Sequence, residues 1–470
     1  MSVAVVWFRR NLRLDDNVPL DAALRDADAV VPVFVLDDHY LTADFGPPRL
    51  AVLRDSLEAL ETRLAARGSR LLVRRGPPAR ALAALVREVG AGTVYAPRDH
   101  EPYPKKRDAE VAAALAPIGA RLVLLEDLNL VPATALRTGT GRPFTVFTPF
   151  SRRWLEADKP SPVPAPASVP TPAAVLAPPF PTVPLSRPRG FRETGAPENP
   201  RGGEDEARRA WDAFRQHALF RYTDERDRPD HPGTSRLSHH LRFGTIGIRR
   251  VLQEARDAWR EAPAAGRRAI ESFLREIAWR EFYAGVLDAF PGTSAESFRP
   301  EFDRFPWLTG EAAGGAFAAW RDGLTGYPIV DAGMRQLARE GWMHNRVRMI
   351  VASFLTKDLL IDWRLGEGLF RQRLADADLA SNAGGWQWAA GSGTDAQPFF
   401  RIFNPTLQGQ RFDPDGDYVR RYVPELASVR GKGVHVPWTL PRPPDGYPAP
   451  IVDHAAARAR ALAAFRALKA

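Results

Sequence analysis

Cysteine is absent from the chain, which excludes disulfide staples, zinc–thiolate centres and thiol nucleophiles and suits a reducing, cytoplasmic compartment. No apolar run reaches the ~18 residues that crossing a bilayer requires. Nothing basic precedes the apolar stretch at the start, so Val3–Phe8 reads as a first buried strand and not as a leader peptide. No G-x-x-x-x-G-K-[ST] occurs, because Lys432 in Arg430-Gly431-Lys432-Gly433 lacks the spacing, and Gly139-Thr140-Gly141 lacks a third glycine. Neither H-E-x-x-H nor G-x-S-x-G is present. The adjacent His239 and His240 would point in different directions on a helix, so no metal site is expected. With the machinery of hydrolysis missing, an organic cofactor is the better source of chemistry.

What is present begins with size. At 470 residues the chain is too long for one compact core, so two domains are expected. Apolar residues at 44% and charged residues at 26% describe an ordinary globular protein. Lys and Arg number 65 against 56 Asp and Glu, a net +9 that suits a polyanion such as nucleic acid. A compositional bias toward Arg would produce the same number.

Residues 1–130 alternate short β-rich runs with helical patterns. Strands are predicted at Val3–Phe8, Val30–Leu36, Arg70–Arg74, Thr93–Ala96 and Arg121–Leu125. Between them Leu53, Leu57, Leu60 and Leu64 mark one helical face, and Leu82, Leu85 and Val86 another. Such alternation predicts a Rossmann-like parallel sheet covered by helices. Residues 131–203 form a connector whose stretch 160–188 holds eleven prolines and no helical period. Residues 204–470 read as all-α, with periodic runs at Ala269–Phe290, Ile329–Arg339 and Asn345–Leu360 and a closing Ala/Arg-rich helix over 455–470.

Four stretches carry chemistry. Gly233-Thr234-Ser235-Arg236-Leu237-Ser238 precedes a helical pattern and offers hydroxyls and free N–H groups to a phosphate, or a plain N-cap. Glu276 and Trp279 share a helical face, followed by Arg280 and Tyr283. In Gly341–Met349, Asn345 and Met349 share a face and Arg348 adds a fixed charge. The densest stretch, Asp376–Trp388, combines Asp376, Asp378, Asn382, the pair Gly384-Gly385, Trp386 and Trp388. Its glycines would let backbone approach a ligand closely.

Taken in order, Trp7–Asn17, Gly326–Met334, Trp342–Met349, Asp362-Trp363-Arg364, Asp376–Trp388 and Phe400-Arg401-Ile402-Phe403-Asn404-Pro405 resemble the photolyase/cryptochrome family over nearly the whole chain. The resemblance is nearest to the class I branch that repairs cyclobutane pyrimidine dimers, in the deazaflavin-antenna subgroup. It implies an antenna domain over 1–130, a connector over 131–203 and an FAD-binding catalytic domain over 204–470. Tyr222 and Thr234–Ser238 (Thr234, Ser235, Arg236, Leu237, Ser238) would hold the FAD diphosphate side. Arg348 would pair with Asp376, Asp378 would face the ribityl and ring region, and Asn382 would donate to flavin N5. Trp386, Trp363 and Trp307 would conduct electrons from the surface. An alanine at 383 departs from the second asparagine that many relatives carry there.

The resemblance also implies the substrate. Glu276, Trp279, Asn345 and Met349 mark dimer repair, where (6-4) enzymes carry histidines at the last two positions. Glu276 would hydrogen-bond the flipped pair and Trp279 would stack on it. Arg226, Arg280, Tyr283, Arg346, Trp388 and Gln408 would complete the contact with UV-damaged DNA. Asp99, Glu101 and Arg242 resemble the site of an 8-hydroxy-5-deazaflavin antenna, with folate and FMN as alternatives; Arg242 replaces the usual lysine. A monomeric, light-dependent, cytoplasmic lyase is therefore expected. The rival expectations are a blue-light photosensor of the cryptochrome type, disfavoured by these residues and the short end of the chain, and a (6-4) repair enzyme.

Overall fold

The computed structural model describes residues 1–178, 180–183, 199–396, 398–399 and 401–469. Part of the proline-rich connector, Phe400 of the sixth resembling motif and Ala470 of the closing helix lie outside the described residues. The N-terminal domain is a five-stranded, all-parallel sheet of order β3-β2-β1-β4-β5, with β1 Val3–Phe8, β2 Ala29–Leu36, β3 Leu72–Arg75, β4 Thr93–Pro97 and β5 Arg121–Leu125. Helices α1 (Val18–Asp26), α2 (Pro47–Ala65), α3 (Pro78–Val89) and α4 (Pro102–Leu115) connect them. The period of two in β1 explains the layering: Val6 and Phe8 pack with Val52, Leu57 and Leu60 of α2, while Val5 and Trp7 pack with Leu82, Leu85 and Val111 of α3 and α4. Strand β3 begins later than predicted because Arg67, Gly68 and Ser69 are spent closing α2, their N–H groups donating to Leu64 and Ala65 carbonyls.

The connector is not a free tether. Its backbone bonds along the α/β domain through Asp16 N–H to Val163 O, Val169 N–H to Arg67 O and Val183 N–H to Val73 O. It also contains a helix, Phe147–Glu156, whose Phe147, Phe150 and Trp154 join the helical half's core. Within 160–188, where no helical period was read, Ala173–Leu176 makes a single turn.

The remainder is helical. The long element Ala264–Ala289 packs against Leu379–Ala390, which in turn packs against Asn345–Ser353 and Trp363–Arg373, with Pro328–Glu340 beside Asn345–Ser353. The expected helix Asn345–Leu360 stops at Ser353 and passes into a π-turn, Phe354–Asp358. There the polar Thr356, Lys357 and Asp358 are all buried, and Leu360 takes a left-handed φ of 55°. Among the described residues, no helix is long and apolar enough to cross a membrane.

Candidate active site

A cavity of about 490 Å³ opens in the helical half, within the range of small-molecule sites. Three helices furnish its walls by 3.6-residue periodicity. The Ala264–Ala289 helix turns Glu276, Trp279, Arg280 and Tyr283 toward it; Asn345–Ser353 presents Asn345, Arg348, Met349 and Ala352; Leu379–Ala390 presents Ser381, Asn382, Gly385 and Trp386. Tyr222, Ser235, Leu237 and Ser238 close another side. Arg226, Arg242, Arg346, Asp376, Asp378 and Trp388 also line the cavity, whereas Thr234, Arg236, Trp307, Trp363, Gln408, Asp99 and Glu101 do not.

Arg236 has a left-handed φ of 50°. Its guanidinium is tied down elsewhere, 2.9 Å from Glu340 and 4.0 Å over the Trp342 ring, which holds the Ser235–Ser238 backbone against the cavity. Arg348 and Asp376 pair at 2.8 Å. Burial would raise the Asp376 carboxyl, but the Arg348 guanidinium prevails and holds it below the ordinary range. The second carboxylate oxygen of Asp376 is buried without a partner. Asp378 caps the Leu379–Ala390 helix by accepting from Ser381 N–H at 3.1 Å, and its other oxygen meets Arg10 at 2.6 Å. There too burial is overcome, by Arg10 and Arg242, and the carboxyl is held low.

Asn382 corrects an expectation. Its amide NH2 donates to the Glu367 carboxylate at 2.8 Å and the Glu367 carbonyl at 3.1 Å. With both donors spent, its oxygen is what remains for a ligand, so it accepts and does not donate. The glycine pair also divides. A Cβ on Gly384 would fall 2.3 Å from the Tyr283 ring, while one on Gly385, which lines the cavity, would meet nothing within 4 Å. Only Gly385 faces a ligand; Gly384 makes room for Tyr283.

Trp279 lies flat on Phe147, with ring centroids 3.7 Å apart and planes 7° apart. Glu276 is raised by burial, opposed by Arg226, whose Nη1 is 2.7 Å away. The cations expected to contact DNA are thus already paired: Arg226 on Glu276, Arg346 on Asp227 at 2.8 Å, and Arg280 on Leu128 O and Asn129 at 2.9 and 3.1 Å. Gln408 stands away from the cavity on Pro405–Phe412.

The three tryptophans share one apolar cluster. Trp386 and Trp363 are buried in it and Trp307 packs against it. Gly366, one turn beyond Trp363, would put a Cβ 2.2 Å from the Trp386 ring, so only glycine admits that indole. Asp99 and Glu101 gather around Arg10 at 3.3 and 2.7 Å, with Arg242 3.6 Å from Glu101. Asp99, His100 and Glu101 have donor atoms within 4.8 Å of one another, but a guanidinium already supplies the cation there. The His239 and His240 rings do not diverge: their centroids are 4.0 Å apart, and burial keeps both neutral. Sequence reasoning missed Arg10, Phe147, Asp227, Gly366 and Glu367; Arg10 sits in the Trp7–Asn17 motif without a role assigned to it, and of the other four only Gly366, a glycine inside a helical run, carried a local signal.

The residues fit a dinucleotide flavin. Hydroxyls, an Arg–Asp pair and an unpartnered buried oxygen lie at one part of the cavity, and Ile277, Phe370, Leu374 and Trp386 give it an apolar part. Comparison with known proteins agrees. Residues 4–169 match the DNA photolyase family and residues 273–467 match the FAD binding domain of DNA photolyase. A deoxyribodipyrimidine photo-lyase of Halobacterium salinarum is 44% identical over 98% of each chain. The crystal structure of a bacterial class III photolyase from Agrobacterium tumefaciens superposes with TM-score 0.92 at 40% identity, covering 100% of this chain and 98% of its own. An archaeal photolyase from Sulfolobus tokodaii with two FAD molecules superposes at 0.84 with 30% identity, over 99% and 100%.

Proposed function

Because the chain belongs to the photolyase/cryptochrome family, we propose that it repairs cyclobutane pyrimidine dimers in UV-damaged DNA, using light and one FAD held in the helical cavity. The observation that carries the reading is the cavity's facing chemistry: Glu276 and Trp279 come from one helix, Asn345 and Met349 from another, and among the described residues no histidine lines the space between. The resemblance pointed to class I while a similar solved structure is a class III photolyase, so the proposal is made at the level of dimer repair and not of class.

Bound in the cavity, reduced FAD would supply the light-driven electron-transfer chemistry for opening the cyclobutane ring. The chain's own residues bind and orient. Ser235, Ser238, Tyr222 and the Arg348–Asp376 pair would hold the diphosphate side, with Thr234 and Leu237 completing the loop that Arg236 anchors. Asp378, steadied by Arg10, would face the ribityl chain, and the Asn382 oxygen would accept from N5–H. A dimer pairs poorly and leaves the stack at reduced cost. The Trp279 face turned away from Phe147 would receive it, stacking being worth roughly 1–3 kcal/mol per base. Glu276 would accept from the thymine imide edge in a site where burial strengthens each hydrogen bond. Tyr283 and Trp388 would shape the same pocket, and Arg226, Arg280, Arg346 and Gln408 would approach flanking DNA. Trp307, Trp363 and Trp386 would carry electrons inward to restore a flavin that has become oxidised. Asp99, Glu101 and Arg242 would border an antenna pigment, a deazaflavin by resemblance; chromatography of the released pigments distinguishes it from folate, FMN or a second FAD.

The test is product analysis of two defined oligonucleotides, one with a cyclobutane dimer and one with a (6-4) product, after blue-light exposure with reduced protein. Restoration of the first alone is expected. Repair of the (6-4) lesion alone would overturn the assignment, and repair of neither, with FAD bound and reduced, would favour a photosensor.

A further inference from the structure

Charges alternate along the rim of the cavity. The Glu276 carboxylate meets Arg226 Nη1 at 2.7 Å, and Arg226 Nε lies 4.0 Å from Asp227. Asp227 in turn grips Arg346, with Oδ2 2.8 Å and Oδ1 2.9 Å from Nη2 and Oδ1 3.2 Å from Nε. Arg346 is further held over the Phe412 ring at 4.4 Å, and its Nη1 lies 3.6 Å from the Met349 sulfur. The chain of charges runs from the Glu276–Trp279 wall, through the turn after Tyr222–Glu225, to the Asn345–Met349 wall. It therefore borders the space a flipped base pair must enter. These side chains are partly open to solvent, Asp227 the most at 36%, so an incoming group can reach them.

In this arrangement both rim arginines are satisfied internally, and Glu276 is engaged by a cation and not by a base. A carboxylate across a guanidinium fork presents two oxygens in the same geometry as a phosphodiester. We propose that Asp227 is an internal phosphate mimic and a specificity-determining residue: it occupies Arg346 until a backbone phosphate at the lesion displaces it. The inference rests on the DNA-repair reading. The freed Asp227 carboxylate is already 4.0 Å from Arg226 and draws that guanidinium away from Glu276, whose oxygen becomes available to the lesion. Seating of the phosphate and release of Glu276 are thus one exchange of ion pairs, with charge conserved at each step. An intact, stacked duplex brings a phosphate only to the outer edge of the rim, where it does not displace Asp227 and Arg346 stays paired. Only a strand whose nucleotides are extruded carries a phosphate far enough inward to take Asp227's place. The device lowers affinity for undamaged DNA and leaves lesion binding nearly unchanged.

The experiment measures dark binding of the full-length protein to two duplexes of one sequence, intact or carrying a single cyclobutane dimer, over a series of salt concentrations. Asp227→Asn should tighten binding to the intact duplex roughly two- to fivefold, the effect of one rim charge pair. It should also steepen the salt dependence on that duplex by roughly 0.7–0.9 in log–log slope, one more phosphate contact, while the slope on the dimer duplex stays as in the wild type. Asp227→Glu should restore wild-type behaviour on both. Unchanged slopes on both duplexes, or an equal loss of affinity on both, would show that Asp227 only positions Arg346 and would overturn the inference. A wild-type protein without preference for the dimer duplex would instead overturn the repair reading itself, whatever the variants do.

Discussion

Asn382 and Glu367 show how one side chain decides the role of another. Because the buried Glu367 takes both amide hydrogens of Asn382, the asparagine is oriented before any ligand arrives, and its oxygen is aimed by default. The same reasoning applies to Asp376, held by Arg348 with one oxygen to spare. Asp376→Asn removes a buried partner and should cost on the order of 3–5 kcal/mol in the holoprotein. The checks are the flavin-to-protein absorbance ratio, expected to fall, and the thermal midpoint. Trp363 is buried with its indole N–H unpartnered, so Trp363→Phe removes no hydrogen bond. That variant should keep FAD and repair dimers when already reduced, while light-driven reduction of the oxidised protein slows strongly in transient absorption. Unchanged photoreduction would show that another route dominates.

At the scale of the element, the Asn345–Ser353 helix depends on a titratable cap. His344 Nδ1 accepts from Arg346 N–H at 3.2 Å, and burial, with nearby arginines, lowers His344 to about 4. His239, behind the Ser235–Ser238 loop, is likewise lowered to about 4 by burial. The unfolded chain takes up these protons below 6.5 and the native state only near 4, so the stability they confer is whole above pH 6.5 and lost as pH falls toward 4. Each contributes a slope of about 1.4 kcal/mol per pH unit in that window. His344→Asn keeps a capping oxygen without a titration. Thermal melts between pH 7 and 4.5 should show a shallower acid decline for that variant than for the wild type; identical declines would remove His344 from the account.

At the scale of the whole molecule, the two domains are joined by a buried charge network. Arg249 meets Asp16 at 2.7 Å and Asp127 at 2.5 Å, while Arg13 meets Asp127 at 2.9 Å and donates to Gly244 O at 3.1 Å. All four side chains are at most 2% exposed. Arg249→Ala would take from Asp16 its guanidinium partner and leave Asp127 with Arg13 alone, at a cost of about 3–5 kcal/mol. Chemical denaturation should show the midpoint falling accordingly, and a shift under 1 kcal/mol would mean that water reaches the network.

Much of this architecture was legible in the chain alone. The unbroken apolar run Val3–Phe8, the alternation of such runs with helical patterns such as the leucines of 53–64, and the helical periods after residue 204 pointed to a parallel α/β domain followed by a helical one. Helical spacing also puts Glu276 with Trp279 and Asn345 with Met349 on common faces by local geometry, and these four do line the cavity. What local geometry does not contain is the partner of a charge. That Arg226 rests on Glu276, Arg346 on Asp227 and Arg10 on Asp378 across 368 positions of sequence was decided only when the chain closed. A long flexible guanidinium pairs with whichever carboxylate the fold brings within reach, and burial then makes leaving it unpaired too costly.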